Sequence, residues 1–306
     1  MAVTFDEKTL RKLDRLALVA SQVRAGVMKG ERRSTKRGTS IEFADYRNYV
    51  RGDDLRRIDW NVYARLEKPF IKLLEEEEDL AVHVLVDTSR SMNWPDGSLG
   101  EKPEEAAAQH KFTYALRLAA ALGYIALTAG DRLMVSALDN SLRGAEGYGP
   151  ARGRGHTLRL LSFLSALQAD KVTDLNVALR NYAQRSQRAG LCLIISDLFA
   201  LNGYQEGVSA LQSRGYEVVI IQVMSPDELD PPLAGDLRLL DVETEEPQDV
   251  SVDGGLRELY VQRVAAWREA QATWCRKRNI HFFSVVTTHP WEAFVLDELR
   301  SRALVK

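Results

Sequence analysis

From Leu80 onward the apolar residues of this 306-residue chain fall into short continuous runs, separated by longer stretches with helical spacing. Residues 80–86 (LAVHVLV) and Leu191–Ser196 (LCLIIS) are such runs, and each is followed at once by an aspartate, Asp87 and Asp197. Continuous apolar runs of this length predict strands buried on both faces. Leu133–Leu138, Glu217–Val223 and His281–Val286 read as further strands. A helical stretch is predicted from about Pro103 to Thr128, with Phe112, Leu116, Ala119 and Leu122 inward. Further helices are expected at about 156–168, 174–188, 204–213, 255–278 and 291–302. The Asp139-Asn140 turn signal predicts a short antiparallel edge strand after Leu138. A proline-interrupted insertion at about 225–253 holds two short strand candidates. Buried strands alternating with helices predict a doubly wound, mostly parallel α/β sheet flanked by helices. Ligands in such sheets bind outside the carboxyl ends of the strands, near the point where strand order reverses. Asp87 and Asp197 are therefore well placed to matter.

Upstream the pattern differs. Leu10, Leu13, Leu16 and Ala20 have helical spacing and predict a helix over about 6–25. Residues 26–40 are polar and glycine-punctuated, and read as a loop. The expected division is an N-terminal helix and extended segment over 1–79, packed on an α/β domain over 80–306.

Charge sharpens that division. Residues 1–72 hold 17 Lys and Arg against 10 Asp and Glu, a net of +7. The remainder holds 24 against 33, a net of −9, so the chain's −2 conceals an asymmetry. The basic cluster Arg24–Arg37 (Lys29, Arg32, Arg33, Lys36, Arg37) raises nucleic-acid binding as one reading, although no aromatic interleaves it for base stacking. Pairing with the acidic run Glu75–Asp79 is the simpler expectation. Cys192 and Cys275 are too few for a disulfide framework and neither belongs to a CxxC pair, which points to a reducing, cytoplasmic setting. No apolar run reaches the ~20 residues a membrane helix needs. Asp6, Glu7 and Lys8 stand where a signal peptide would have its apolar core.

The chemistry concentrates after the first buried strand, in Asp87-Thr88-Ser89-Arg90-Ser91. An Asp-x-Ser-x-Ser loop can turn one carboxylate and two hydroxyls toward one point, a hard oxygen set suited to Mg²⁺, with Mn²⁺ or Ca²⁺ as alternatives. Thr173, at the start of a predicted helix, could add a hydroxyl, though either Thr173 or Asp174 could equally be that helix's N-cap. Asp197 is either a further ligand or a helix cap.

In this order Asp87, Ser89, Ser91, Thr173 and Asp197 resemble the metal-ion-dependent adhesion site of von Willebrand factor A domains. The resemblance implies that Ser89, Ser91 and Thr173 coordinate Mg²⁺ while Asp87 and Asp197 bind it directly or through waters. It also implies an open metal position for a carboxylate of a partner protein, with Arg90 and Asn93 on the rim. Leu198 departs from the pattern, standing where many A domains have glycine, and the Asn93–Pro103 loop is long.

A second resemblance lies upstream. Gly38, Glu42, Phe43, Asp45, Arg47 and Tyr49 lead into Gly52, Asp53, Asp54, Arg56, Ile58, Asp59 and Trp60, and Ala64-Arg65 closes the run. This is similar to the signature of the bacterial domain-of-unknown-function family 58. Physically, Arg47, Arg56 and Arg65 could pair with Glu42, Asp45, Asp53 and Asp59, while Trp60, Tyr46 and Tyr49 anchor the segment as a clamp on the sheet. The resemblance implies an adaptor or chaperone-like role beside a MoxR-type AAA ATPase; no nucleophile–base pair stands out in the sequence, so no enzymatic activity is expected. A phosphoryl-transfer site with Asp87 as nucleophile is the enzymatic alternative, but Ser89 stands where its second aspartate is required.

Overall fold

A computed structural model describes residues 4–20, 41–50, 53, 55, 58–76, 80–96, 102–140, 147–185, 188–242 and 246–306; the side chains of 41–47 and 72–76 fall outside it. The chain divides into two compact units, one of Met1–Lys29 with Leu80–Lys306 and one of Gly30–Asp79.

The larger unit is built on a six-stranded sheet. Its strands are β3 (Ala81–Asp87), β4 (Arg132–Leu138), β5 (Gly147–Ala151), β6 (Leu191–Ser196), β7 (Glu217–Met224) and β10 (His281–Val286). They lie in the order β10-β7-β6-β3-β4-β5, all parallel except β5, which runs antiparallel to β4 at the edge. From β3 the chain moves outward to β4 and β5, then returns to the other side of β3 for β6. Strand order therefore reverses between β3 and β6, which opens a crevice at their carboxyl ends. β3, β6 and β7 are buried along their whole length because helices cover both faces. Val82, Val84 and Val86 pack on one face with the helix Lys111–Thr128 and the helix Thr157–Ala166. Leu85 points to the other, with Leu175–Arg185 and Gln205–Ser213. Each such fully buried aliphatic side chain contributes roughly 1.5–3 kcal/mol, so the two central strands are firm ground for anything attached to their ends.

Three expectations change. The predicted helix from Pro103 to Thr128 is two helices, Pro103–Gln109 and Lys111–Thr128, broken at His110. His110 is extended there, and its imidazole accepts the Thr113 N–H at 3.3 Å to cap the second helix. The N-terminal helix spans only Glu7–Leu13. Leu16, Leu18 and Ala20 are buried at every second position, the period of an extended strand rather than a helix. Leu18 bridges Val305, and Ala17 and Lys306 exchange backbone hydrogen bonds at 2.9 and 3.1 Å. That burial ties residues 4–20 to the larger unit, where the expected division grouped them with the segment up to residue 79; the division between Asp79 and Leu80 is the same.

The insertion forms a separate antiparallel pair, β8 (Gly235–Leu240) with β9 (Pro247–Val252), before the long helix Gly254–Arg276. The last helical stretch is continuous but contains a π turn at Phe294–Glu298. Among the described residues no helix is long and apolar enough to cross a membrane.

The smaller unit pairs β1 (Ile41–Asn48) antiparallel with β2 (Phe70–Glu76), with the helix Trp60–Leu66 between them, where an irregular segment was expected. Within it Ile58 is buried and bridges Ile71, and the Tyr49 N–H donates to Pro69 O at 2.9 Å. Asp59 accepts the Asn61 and Val62 N–H groups and caps the helix, while Asp53 accepts the Val50 N–H. Ala64 and Arg65 lie in the exposed helix. Within this unit Trp60 lies edge-on to Tyr63. Gly38, Gly52, Asp54, Arg56 and the basic stretch Arg24–Arg37 lie outside the described residues, as do the side chains of Glu42, Phe43, Asp45, Tyr46 and Arg47 and the acidic side chains of Glu75–Asp79.

Candidate metal centre

The sequence Asp87-Thr88-Ser89-Arg90-Ser91-Met92 leaves β3 in a tight bend. Met92 is wholly buried and pins the one-turn 3₁₀ segment Arg90–Met92 into the core. On the other side the loop is stitched to the segment before the helix Leu175–Arg185. The Arg90 N–H donates to Lys171 O at 2.9 Å and the Lys171 N–H to Thr88 O at 3.1 Å. The Thr88 hydroxyl donates to Leu138 O at the end of β4. Loop residues 87–91 are thus held by the end of β4 and by the segment at Lys171.

This anchoring brings the predicted oxygens together. Ser89 Oγ and Ser91 Oγ are 3.0 Å apart. Asp87 Oδ1 accepts the Ser89 N–H at 2.9 Å, and Oδ2 accepts the Ser196 hydroxyl at 2.5 Å from the neighbouring strand. Burial, reinforced by the negative charge of Asp197, pushes the Asp87 carboxyl up to about 6, against the lowering effect of its Ser196 and Ser89 hydrogen bonds. Across the crevice, Asp197 Oδ1 accepts the Phe199 N–H at 3.0 Å, so Asp197 closes a turn rather than capping a helix. Leu198 between them has φ of +64°, the left-handed region, which accounts for the glycine preferred there in the pattern it departs from. Its N–H donates to Ser196 Oγ, and its buried side chain packs against the helix-covered face.

Thr173 is linked to the loop through the end of β4 rather than by a bond to Asp87, Ser89 or Ser91. Its hydroxyl reaches Leu138 O at 3.4 Å, the carbonyl that Thr88 also uses. Of the two possible caps, Asp174 is the N-cap, accepting the Val177 N–H at 3.0 Å. On the rim, Arg90 is partly exposed and Asn93 is exposed, its carbonyl 3.1 Å from His110 Nε2. Residues 97–101 of the adjoining loop lie outside the described residues.

Three members of the site were not singled out in the sequence. Ser196 braces Asp87. Lys111, 0% exposed, donates from Nζ to Asp197 Oδ2 at 2.7 Å and also to Glu228. Burial alone would push its ammonium down, but Asp197 and Glu228 together outweigh that and hold it above its ordinary value. The signal for Lys111 was its helical phase. It lies on one stripe with Ala115, Leu118 and Leu122, all buried, where a charge is out of place unless paired.

Among the described residues no group of three or more His, Cys, Asp and Glu is arranged to hold a metal. The fit to a cation therefore rests on the mixed set. Octahedral Mg²⁺ with bonds of roughly 2.0–2.1 Å places adjacent ligand oxygens ~2.9 Å apart, close to the Ser89–Ser91 separation of 3.0 Å. With its acids ionised, the group of buried Asp87, Asp197 and Lys111 with the half-buried Glu228 carries three negative charges against one positive. Hard donors and uncompensated negative charge fit a divalent cation held by Ser89 and Ser91, with the two aspartates behind them. The same geometry disfavours Asp87 as a nucleophile, because both its oxygens are engaged and the group is 1% exposed.

The family model described as "Protein of unknown function DUF58" matches residues 45–270. The uncharacterized proteins Mb1516 of Mycobacterium bovis and Rv1480 of Mycobacterium tuberculosis are each 28% identical over 298 residues, covering 97% of this chain and 90% of theirs. Among solved structures, BatB from Bacteroides thetaiotaomicron aligns over 73% of this chain and 98% of its own, at 12% identity and a TM-score of 0.41. An aerotolerance-related membrane protein from Bacteroides fragilis aligns over 72% and 99%, at 13% identity and a TM-score of 0.42.

Proposed function

We propose that this chain, which belongs to the DUF58 family, is a divalent-cation-dependent protein-binding module of the von Willebrand factor A type. The observation that carries the reading is the convergence of Ser89 Oγ and Ser91 Oγ, 3.0 Å apart, in front of buried Asp87 at the crevice where strand order reverses. In this reading Ser89 and Ser91 hold Mg²⁺, Thr173 approaches from the edge, and Asp87 and Asp197 supply the negative field. The bound cation supplies an electrophilic point that a partner's carboxylate can occupy. Ser196 and the Ser89 N–H keep Asp87 oriented and favour its ionised form. Arg90 and Asn93 stand on the rim, where a partner side chain would meet them. The partner proposed from the signature resemblance is a MoxR-type AAA ATPase or its target, with the module acting in the cytoplasm as an adaptor in the maturation or assembly of other proteins.

Calorimetric titration of Mg²⁺ into the purified chain tests the reading. Binding by the wild type, lost in Asp87→Ala and in the Ser89→Ala/Ser91→Ala double variant, supports it. A folded wild type that takes up no Mg²⁺, Mn²⁺ or Ca²⁺ refutes it. The partner is tested separately, by binding to a purified MoxR-type ATPase of the same organism with and without chelator.

A further inference from the structure

Lys111 is the first residue of its helix and its side chain is fully enclosed. The Nζ lies between Asp197 Oδ2, at 2.7 Å, and Glu228, with the Phe199 ring centroid 5.2 Å away. Packing does not call for a lysine here, because a methionine of similar length would fill the same space beside Ala115 and Leu118. A buried ion pair is also weak as a device for stability, since desolvation offsets most of its Coulomb gain. What the ammonium does is neutralise one of the two aspartates that face the candidate cation. Glu228 gives it a second partner on a different element, fixed in turn by the Ser225 N–H to its Oε2 at 2.8 Å.

Resting on the reading above, we propose that Lys111 is an internal counter-ion that competes with the divalent cation for Asp197. The cation and the ammonium draw on the same carboxylate and repel each other, so the lysine lowers the site's affinity for metal. When metal occupies the site, Glu228 retains the ammonium, and Lys111 need not become an unpaired buried charge. The chain thereby holds a cation weakly on its own, and a partner carboxylate supplies the charge that Lys111 has cancelled. Lys111 is thus a positioning and affinity-setting residue, and it needs no contact with the metal.

The sign of the effect separates this role from a structural one. Magnesium chloride is titrated calorimetrically into the wild type and the Lys111→Met, Lys111→Arg and Glu228→Gln variants, each first shown to be folded by metal-free thermal unfolding. Lys111→Met is expected to bind Mg²⁺ about tenfold tighter, the scale of removing one nearby positive charge at intermediate dielectric. Lys111→Arg, which keeps the charge, returns toward the wild-type affinity. Glu228→Gln, which leaves the ammonium to Asp197 alone, binds about tenfold more weakly. If the wild type binds and Lys111→Met binds equally or less tightly, the lysine is structural and the counter-ion inference falls while the metal reading stands. If all the folded proteins fail to bind, the metal reading falls and takes this inference with it. Should Lys111→Met not fold, Glu228→Gln decides: unchanged or tighter binding overturns the inference.

Discussion

His83 sits in the middle of β3, 0% exposed, in phase with Leu85 on the face covered by the helix Leu175–Arg185. Its Nδ1 is 2.7 Å from the Tyr182 hydroxyl, its ring meets Tyr216 edge-on at 5.0 Å, and across the ladder it faces Cys192. Burial in these surroundings pushes the imidazole down from 6.5 to about 4, partly opposed by a backbone hydrogen bond at Arg188. The native state therefore stays neutral over an interval in which the unfolded chain takes up a proton. Each pH unit of that gap is worth about 1.4 kcal/mol, so the whole is about 3 kcal/mol. The sign follows: the stability associated with neutral His83 is fully present above pH 6.5 and is lost as the pH falls toward about 4. His83→Asn keeps a hydrogen-bonding group near Nδ1 and removes the titration. Urea denaturation read by tryptophan fluorescence, from about pH 7.5 to about pH 4.5, compares the two proteins. The wild type should lose about 2–3 kcal/mol more than the variant across that range. Other groups, including His110, which is also held below its ordinary value by burial and by Lys111, are common to both and cancel in the difference. Two stability curves that stay parallel would refute the argument.

Two further perturbations test the framework around the site. Ser196→Ala removes the hydroxyl that donates to Asp87 and accepts the Leu198 N–H, so a loss of ~3 kcal/mol in urea stability near neutral pH is expected; a loss below ~0.5 kcal/mol would show that neither bond matters. Gly190→Ala would place a Cβ 2.0 Å from the Ala81 carbonyl oxygen, where β6 begins beside β3. Backbone is the obstacle, so a cost of at least ~2 kcal/mol is expected as a lower urea midpoint at unchanged slope, and a wild-type midpoint would contradict the close approach.

The sheet was readable because its central strands are buried on both faces, and their sequences carry that as uninterrupted apolar runs. The aspartates at their ends were readable for the same reason, since each marks where the run stops. Periodicity was less informative wherever a segment is buried from one side only. Leu13 and Leu16 continue a helical spacing, yet Leu16, Leu18 and Ala20 follow the two-residue period of a strand paired to the C-terminal segment, Leu18 with Val305 and Val19 with Leu304, at the other end of the sequence. A pairing at that separation leaves no local trace. His110 likewise interrupts a helical pattern that continues on either side of it, and the break shows only in its extended backbone. The site divides in the same way. Asp87, Ser89 and Ser91 are close in sequence and were legible as a motif. Ser196, Lys111 and Glu228 come from three other elements and meet the aspartates only because β6 returns beside β3.

That return also sets the charge of the site. Ser89 and Ser196 place neutral donors around Asp87, which help it ionise without adding a countercharge. Among the described residues Lys111 is the cation that bonds to both Asp197 and Glu228, and it offsets one of three carboxylates. Had the chain supplied full compensation, a metal would gain little on arrival; had it supplied none, the aspartates would favour protonation over ionisation in so buried a place. The intermediate charge suits an ion that binds reversibly and is completed from outside. In the proposed module the divalent cation balances the negative charge that folding gathers between β3 and β6, and the partner's carboxylate finishes the metal's coordination from outside.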